Sequence, residues 1–272
     1  GSRITATIKR VQVSGRSSGR ALAVRSLSRP DLTADRLTVC RSLGALGSGP
    51  DAARVLGVGP KTDLGANTAL ESAPCAPASR LFTGVLFEAI ESAAPGALSG
   101  VGAENIAIFS GLFGVLAPSD PVPDHRLAMG VSLPGLGRLS SWWAPRLDRV
   151  LRDEAASRVI LDARSGPYRA ACKATWARVW ELRVERERAG TRAVISHDAK
   201  RWRGALTGAL LSGGGWDTWE TTHCERAISD SARAVELVDA HGVTHRVIDV
   251  EFDREKATKQ GGSTRRVTLV TN

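Results

Sequence analysis

Residues 109 to 130 read FSGLFGVLAPSDPVPDHRLAMG. An apolar run enters a turn at Ser110-Gly111-Leu112-Phe113-Gly114 and ends in a proline-punctuated loop carrying Asp120, Asp124, His125 and Arg126. The run from Ile106 to Ala117 is far shorter than the roughly 20 residues a membrane span requires, so it reads as buried core. Asn105 to Phe109 is its strand, and a buried strand that delivers a polar loop is the building unit of a mixed α/β protein.

The same alternation of elements extends outward in both directions. Ile4 to Val13 has the β-branched pattern of a strand, and a helix is expected from Thr33 until Gly44 and Gly47 stop it. Residues 47 to 80, rich in Gly, Pro, Ala and Asp, should be loop with short helical patches at 52 to 56 and 64 to 70. Helices are expected over 82 to 93 and 140 to 152, and a strand over 158 to 162 leads into Arg164, Ser165 and Tyr168. Residues 177 to 186 and 192 to 196 form the arms of a hairpin turning near Ala189-Gly190, although the first arm also fits a helix. A helix capped by Ser196 or Asp198 should run to about Leu211, followed by another over 216 to 232. Strands near 234 to 239, 243 to 252 and 265 to 271 complete the chain, with KATKQGGSTRR at 256 to 266 read as a mobile polar loop. With no repeat and no evident linker, the expectation is one α/β (mixed α+β) domain over residues 1–272, Gly1-Ser2 reading as an expression remnant.

A second polar cluster, SHDAKRWRG at 196 to 204, sets His197, Lys200, Arg203 and Gly204 three and four residues apart, on one face of a helix. Gly204 would let a ligand or a second backbone come close. Arg126 and Arg203 suit a guanidinium clamp on phosphate or carboxylate, against the plainer reading of salt bridges to Asp120 or Asp124. His197 and His125 titrate near neutrality when unperturbed, which suits proton transfer, though a lone histidine is more often structural. SGRSSGR at 14 to 20 has glycines, hydroxyls and arginines but lacks the spacing of a P-loop. Trp176, Trp180, Trp202, Trp216 and Trp219 could stack on bases, and core packing is the more common use. No His, Asp and Cys set has metal-ligand spacing, so neither a metal nor a cofactor is expected.

Lys plus Arg number 37 against 28 Asp plus Glu, a net charge of +9. That excess favours an anionic partner, nucleic acid or a phosphorylated small molecule, and arginine favours planar two-point contacts. Four scattered cysteines, Cys40, Cys75, Cys172 and Cys224, form no C-x-x-C pair, and no apolar signal-peptide core follows the first residues. A cytoplasmic protein without disulfides, zinc or a membrane segment is therefore expected.

Ser110 to Gly114, Pro118, Asp120, His125-Arg126-Leu127 and Met129-Gly130 stand in the order of a recurring signature. LSRPDLTADR at 27 to 36, Asn67, Leu70, APCAPA at 73 to 78, TGVLFEAI at 83 to 90, SGPY at 165 to 168 and SHDAKRWRG accompany it. In these the chain resembles the YaaA family of bacterial peroxide-stress proteins, in its actinobacterial form. It departs from that pattern at VSGRSSGRA (13 to 21), which lacks the family's lysine-threonine loop, and at His125, where many relatives carry tyrosine. The resemblance implies a compact YaaA-like fold with a basic cleft and a helix-hairpin-helix-like element, DNA as the partner and a role under peroxide stress. It also implies that Tyr168, in SGPY, faces the site, against the plainer reading of a buried ring with a hydrogen-bonded hydroxyl.

Two functions follow. A DNA-binding stress protein would hold phosphate with Arg126, Arg203, Lys200, Gly204, Ser110 and Ser165. An enzyme recruited from the family, possessing a richer polar set than phosphate positioning needs, would act on an anionic or nucleobase-like small molecule, as in specialised metabolism. There Arg126 and Arg203 hold the anion, Lys200 stabilises developing charge, His197 or His125 moves the proton, Asp120 orients the base and Tyr168 faces the substrate. A third reading keeps the fold as a scaffold alone. Oligomeric state leaves no mark in the sequence.

Overall fold

The computed structural model describes residues 3–7, 20–154, 159–195, 198–213 and 220–272. The strands are β1 (Arg3–Thr7), β2 (Cys75–Pro77), β3 (Ile106–Ser110), β4 (Gly114–Leu116), β5 (Pro121–Pro123), β6 (Ser132–Leu133) and β7 (Gly137–Arg138). They continue with β8 (Val159–Asp162), β9 (Arg178–Arg188), β10 (Thr191–Val194), β11 (Glu236–Val238), β12 (Thr244–Phe252), β13 (Lys256–Ala257) and β14 (Ser263–Thr271). The helices are α1 (Thr33–Ala45), α2 (Pro50–Leu56), α3 (Gly65–Thr68), α4 (Ala78–Leu81), α5 (Val85–Ala93), α6 (Leu139–Arg152), α7 (Gly166–Ala170), α8 (Ala199–Ser212) and α9 (Thr221–Ala234).

The mixed α/β expectation holds. Ten strands form one sheet in the order β11-β12-β14-β9-β8-β1-β3-β4, with β10 added to β9 and β13 to β14. Its centre is parallel: β14, β9, β8, β1 and β3 pair in one direction. β3 and β8 are buried at every position, IAIFS and VILD. Continuous apolar strands of this kind belong where helices or loops cover both faces of a sheet. From β1 the chain passes to β3 on one side, and from β8 it passes to β9 on the other, so the winding reverses between β1 and β8.

The β9–β10 hairpin turns at Ala189 and Gly190, both with positive φ (50° and 77°), and pairs Arg188 with Thr191. Two left-handed residues match the twist of the flanking strands, which settles the first arm as a strand. Residues 256–266, expected as a mobile loop, instead build the β13–β14 hairpin. Gly262 N donates to Thr175 O and Ser263 N to Ala177 O, and Thr258 Oγ1 also donates to Thr175 O. Polar composition there reflects a hydrogen-bonded turn. The helix expected from Phe82 starts three residues later, because Gly84 (φ 147°) breaks the chain direction after α4. The helix expected over 216–232 is α9, and residues 216–219 lie outside the described residues.

α8 packs along α5 through two glycines one turn apart. A Cβ on Gly204 would lie 2.2 Å from the Leu86 carbonyl oxygen, and one on Gly208 would lie 2.7 Å from that of Ile90. The second backbone that Gly204 admits is α5. Trp180 and Trp202 are fully buried and Trp176 is buried, which supports their reading as core; Trp216 and Trp219 lie outside the described residues. On the far side, the fully buried Arg36 of α1 donates from Nε to Phe113 O (3.0 Å) and from NH2 to Val115 O (2.7 Å). Burial pulls its pKa down to about 10. The signature turn is thus pinned by a cation that has only carbonyls for partners at hydrogen-bond distance.

Candidate functional site

In open α/β sheets ligands favour the carboxyl ends of strands where the winding reverses. Here that place is the end of β8 beside β1, where Thr5 pairs with Asp162. Asp162 is fully buried and accepts from Arg164 N (3.0 Å) and Arg164 Nε (2.9 Å) on one oxygen. Its other oxygen accepts from Arg164 NH2 (2.9 Å) and Arg169 Nε (3.2 Å). Burial opposes the charge, but the two arginines overcome it and hold the Asp162 carboxyl down at about 2. Arg164 also donates to Tyr168 O and Cys172 O, so it closes the α7 segment onto the strand end.

Arg203 reaches this cluster from α8. Its pKa is lowered first by burial and then by the neighbouring Arg169 cation, while Asp162 opposes the shift. Its Nε is sealed from solvent and has no hydrogen-bond partner among the described residues. Lys200, a turn earlier on α8, is half-buried and has an interaction partner.

The signature loops meet at the same end of the sheet. A Cβ on Gly111, just after β3, would lie 2.7 Å from Leu127 O, so residues 127–129 cross directly over that glycine. Gly130 approaches Pro167 of α7, and the Tyr168 phenol hydrogen-bonds the Met129 backbone. Tyr168 is buried, and desolvation raises its phenol to about 12, so it enters neutral pH as a neutral hydrogen-bonding group. Ser165 precedes α7 as its N-cap residue.

Arg126 occupies a different neighbourhood from Arg203. Its backbone is clamped by buried Asn67, whose Oδ1 accepts from Arg126 N (2.7 Å) and whose Nδ2 donates to Arg126 O (3.0 Å). Its side chain lines an open groove of about 480 Å³ with Gly59, Pro60, Lys61, Thr62 and Asp63. Among the described residues neither the Arg126 guanidinium nor the Lys61 ammonium has a hydrogen-bond or ion-pair partner. Burial pushes the nearby Asp124 carboxyl up, against the pull of Arg126.

Several residues chosen from the sequence have structural surroundings. His125 is fully buried, its ring edge-on to Phe82 and Phe113 at centroid distances of 5.9 and 5.3 Å. Its Nδ1 meets Pro123 O at 2.9 Å, and desolvation lowers its pKa to about 4. Sealed and neutral, it fits packing better than proton transfer. Asp120 accepts from Ser28 N (2.8 Å), Ser28 Oγ (2.5 Å) and Ala117 N (2.9 Å), which ties the proline loop to the segment before α1. Ser110 Oγ accepts from Leu112 N and Phe113 N and shapes the turn. The expected salt bridges from Arg126 to Asp120 or Asp124 do not form. His197 lies outside the described residues, as do residues 14–19. Arg169 and Lys61 were missed from the sequence, although Arg169 directly follows the SGPY motif. Among the described residues no three His, Cys, Asp or Glu side chains gather to hold a metal, and no helix is long and apolar enough to cross a membrane.

Fold and site together define a mixed α/β protein in which glycine-bearing and arginine-bearing loops gather where parallel strands end. Residues 16–215 match the family model described as peroxide stress protein YaaA. A UPF0246 protein of Streptomyces coelicolor is 38% identical over 204 residues, covering 72% of this chain and 78% of its own. One from Corynebacterium efficiens is 37% identical over 202 residues, with 72% and 79% covered. Another, from Corynebacterium glutamicum, is 34% identical over 202 residues, with 71% and 78% covered. The chain belongs to the peroxide stress protein YaaA family (UPF0246).

Proposed function

We propose that this YaaA-family protein binds DNA through its phosphate backbone as part of the peroxide response, in the cytoplasm. The observation that carries the reading is the groove at Arg126. Among the described residues a guanidinium and an ammonium stand there without a hydrogen-bond or ion-pair partner, the guanidinium on a backbone that Asn67 holds in place, beside Thr62. Unpaired cations along an open groove suit successive phosphates, and the chain's net charge of +9 adds a favourable field.

The test is fluorescence anisotropy of a short labelled duplex over a range of salt concentrations. Wild-type protein is expected to lose affinity with a log–log slope of about −0.9 per phosphate contacted. Arg126→Ala and Lys61→Ala should each make that slope shallower by about one contact. Binding that is weak, or equally steep in both variants, refutes this use of the groove.

A further inference from the structure

We propose that Arg203 and Arg169 form a second anion site, built for the terminal phosphate of a small phosphorylated molecule and separate from the groove at Arg126. The site lies at the end of β8, where the winding of the sheet reverses, the position that ligands of open α/β sheets favour.

Both oxygens of Asp162 are occupied, each accepting two hydrogen bonds from Arg164 or Arg169. Arg169 has a second, longer contact of 3.5 Å to the part-exposed Glu181, and its NH2 donates to Arg164 O (3.2 Å). Arg203 is the guanidinium left over: among the described residues its side chain makes no hydrogen bond or ion pair, and its Nε is shut away from water. A buried donor left unmade is destabilising, more so when charged, and a neighbouring cation adds repulsion. Nothing in the packing of α8 needs such a group, since Trp202, Ala205 and Leu206 already bury that helix. A ligand anion at Arg203 would satisfy that donor and neutralise the charge it shares with the neighbouring Arg169.

The class of anion follows from where the two guanidiniums come from. Arg169 extends from α7 and Arg203 from α8. A carboxylate offers its oxygens in one plane, which a single guanidinium fork can fill. A terminal phosphate offers three oxygens in a pyramid and accepts forks from two directions. Arg203 is also partly enclosed, which favours a free phosphate end over the mid-strand diester of a duplex, whose sugars flank it on both sides.

The experiment is isothermal titration calorimetry of the full chain with inorganic phosphate, ribose 5-phosphate and acetate. Wild-type protein should bind both phosphates at least tenfold more tightly than acetate. Arg203→Gln should weaken phosphate at least tenfold, Arg203→Lys should keep part of the affinity, and Arg246→Ala, at an exposed arginine paired with Glu236 outside both sites, should leave it unchanged. Arg203→Gln removes an unpaired charge and should melt no lower than wild type in the absence of phosphate; if it fails to fold, Arg169→Gln carries the same test. Absence of phosphate binding by wild type, undiminished binding by folded Arg203→Gln, or loss of binding in Arg246→Ala would each overturn the proposal. A DNA-binding result at the Arg126 groove is independent of all three.

Discussion

Substituting Gly204 by alanine tests how α8 is seated. The added Cβ would stand 2.2 Å from the Leu86 carbonyl oxygen and 2.8 Å from the Ala89 Cβ, where ordinary contacts begin at 3.4 Å. Relief therefore requires α8 and α5 to separate by roughly 1 Å, because the nearest obstacle is backbone and no rotamer change removes it. Overpacking of this kind costs about 3 kcal/mol at the upper end of its usual range, and alanine's better helix propensity returns about 1 kcal/mol. The net expectation is a loss of about 2 kcal/mol, which for a chain of this size lowers the melting temperature by roughly 4–8 °C. Urea denaturation followed by circular dichroism measures it, with Gly213→Ala as the control. A Cβ at Gly213 meets nothing nearer than 3.6 Å, so that change should be neutral or stabilising. If Gly204→Ala were as stable as wild type but lost phosphate or DNA affinity, the glycine would be serving a ligand, and the packing argument would be wrong.

Two further predictions concern buried titrating groups. His125 has its folded pKa depressed to about 4, so its stabilising contribution is complete above the unfolded value near 6.5 and is lost as pH falls from there toward 4. The shift corresponds to about 3 kcal/mol, and the ring protons of His125, assigned with His125→Gln, should titrate near pH 4 by NMR; a midpoint near 6.5 refutes the sealed environment. Asp162, held at about 2, likewise stabilises the fold above its unfolded value near 3.9 and stops doing so as pH falls from 4 to 2. Asp162→Asn leaves Arg164 buried without its counter-charge and should cost about 3–5 kcal/mol in urea denaturation at neutral pH, with the difference shrinking toward pH 2. A cost below about 1 kcal/mol would show that the arginine finds other compensation.

The parts of the fold written in local pattern were legible. Ile106 to Phe109 and Val159 to Leu161 announce strands by their unbroken apolar character, Ala189-Gly190 marks a hairpin, and α8 ends where expected near Leu211. What depends on distant partners was not. β14 slips between β12 and β9 and runs parallel to β9, a pairing that no local periodicity encodes. Sequence gives residue types and spacing, and so did not reveal that Asn67 clamps the Arg126 backbone or that Arg203 stands near Arg169 and Asp162. His125 sits in a loop of charged residues, and only the fold closes Phe82 and Phe113 around it. The position after strand ends was the useful clue: both polar clusters that follow β3 and β8 converge, through Gly111, Met129 and Tyr168.

The cation under the signature turn has a consequence for assembly. Arg36 makes its two shorter hydrogen bonds to the carbonyls of Phe113 and Val115, far along the chain, and a longer one of 3.5 Å to Arg29 O. A half-docked α1 would strand a bare charge in oil, so partial closure is penalised more than full opening. The contact thus ties the docking of α1 to the turn that begins the signature loop, across 77 and 79 residues of chain.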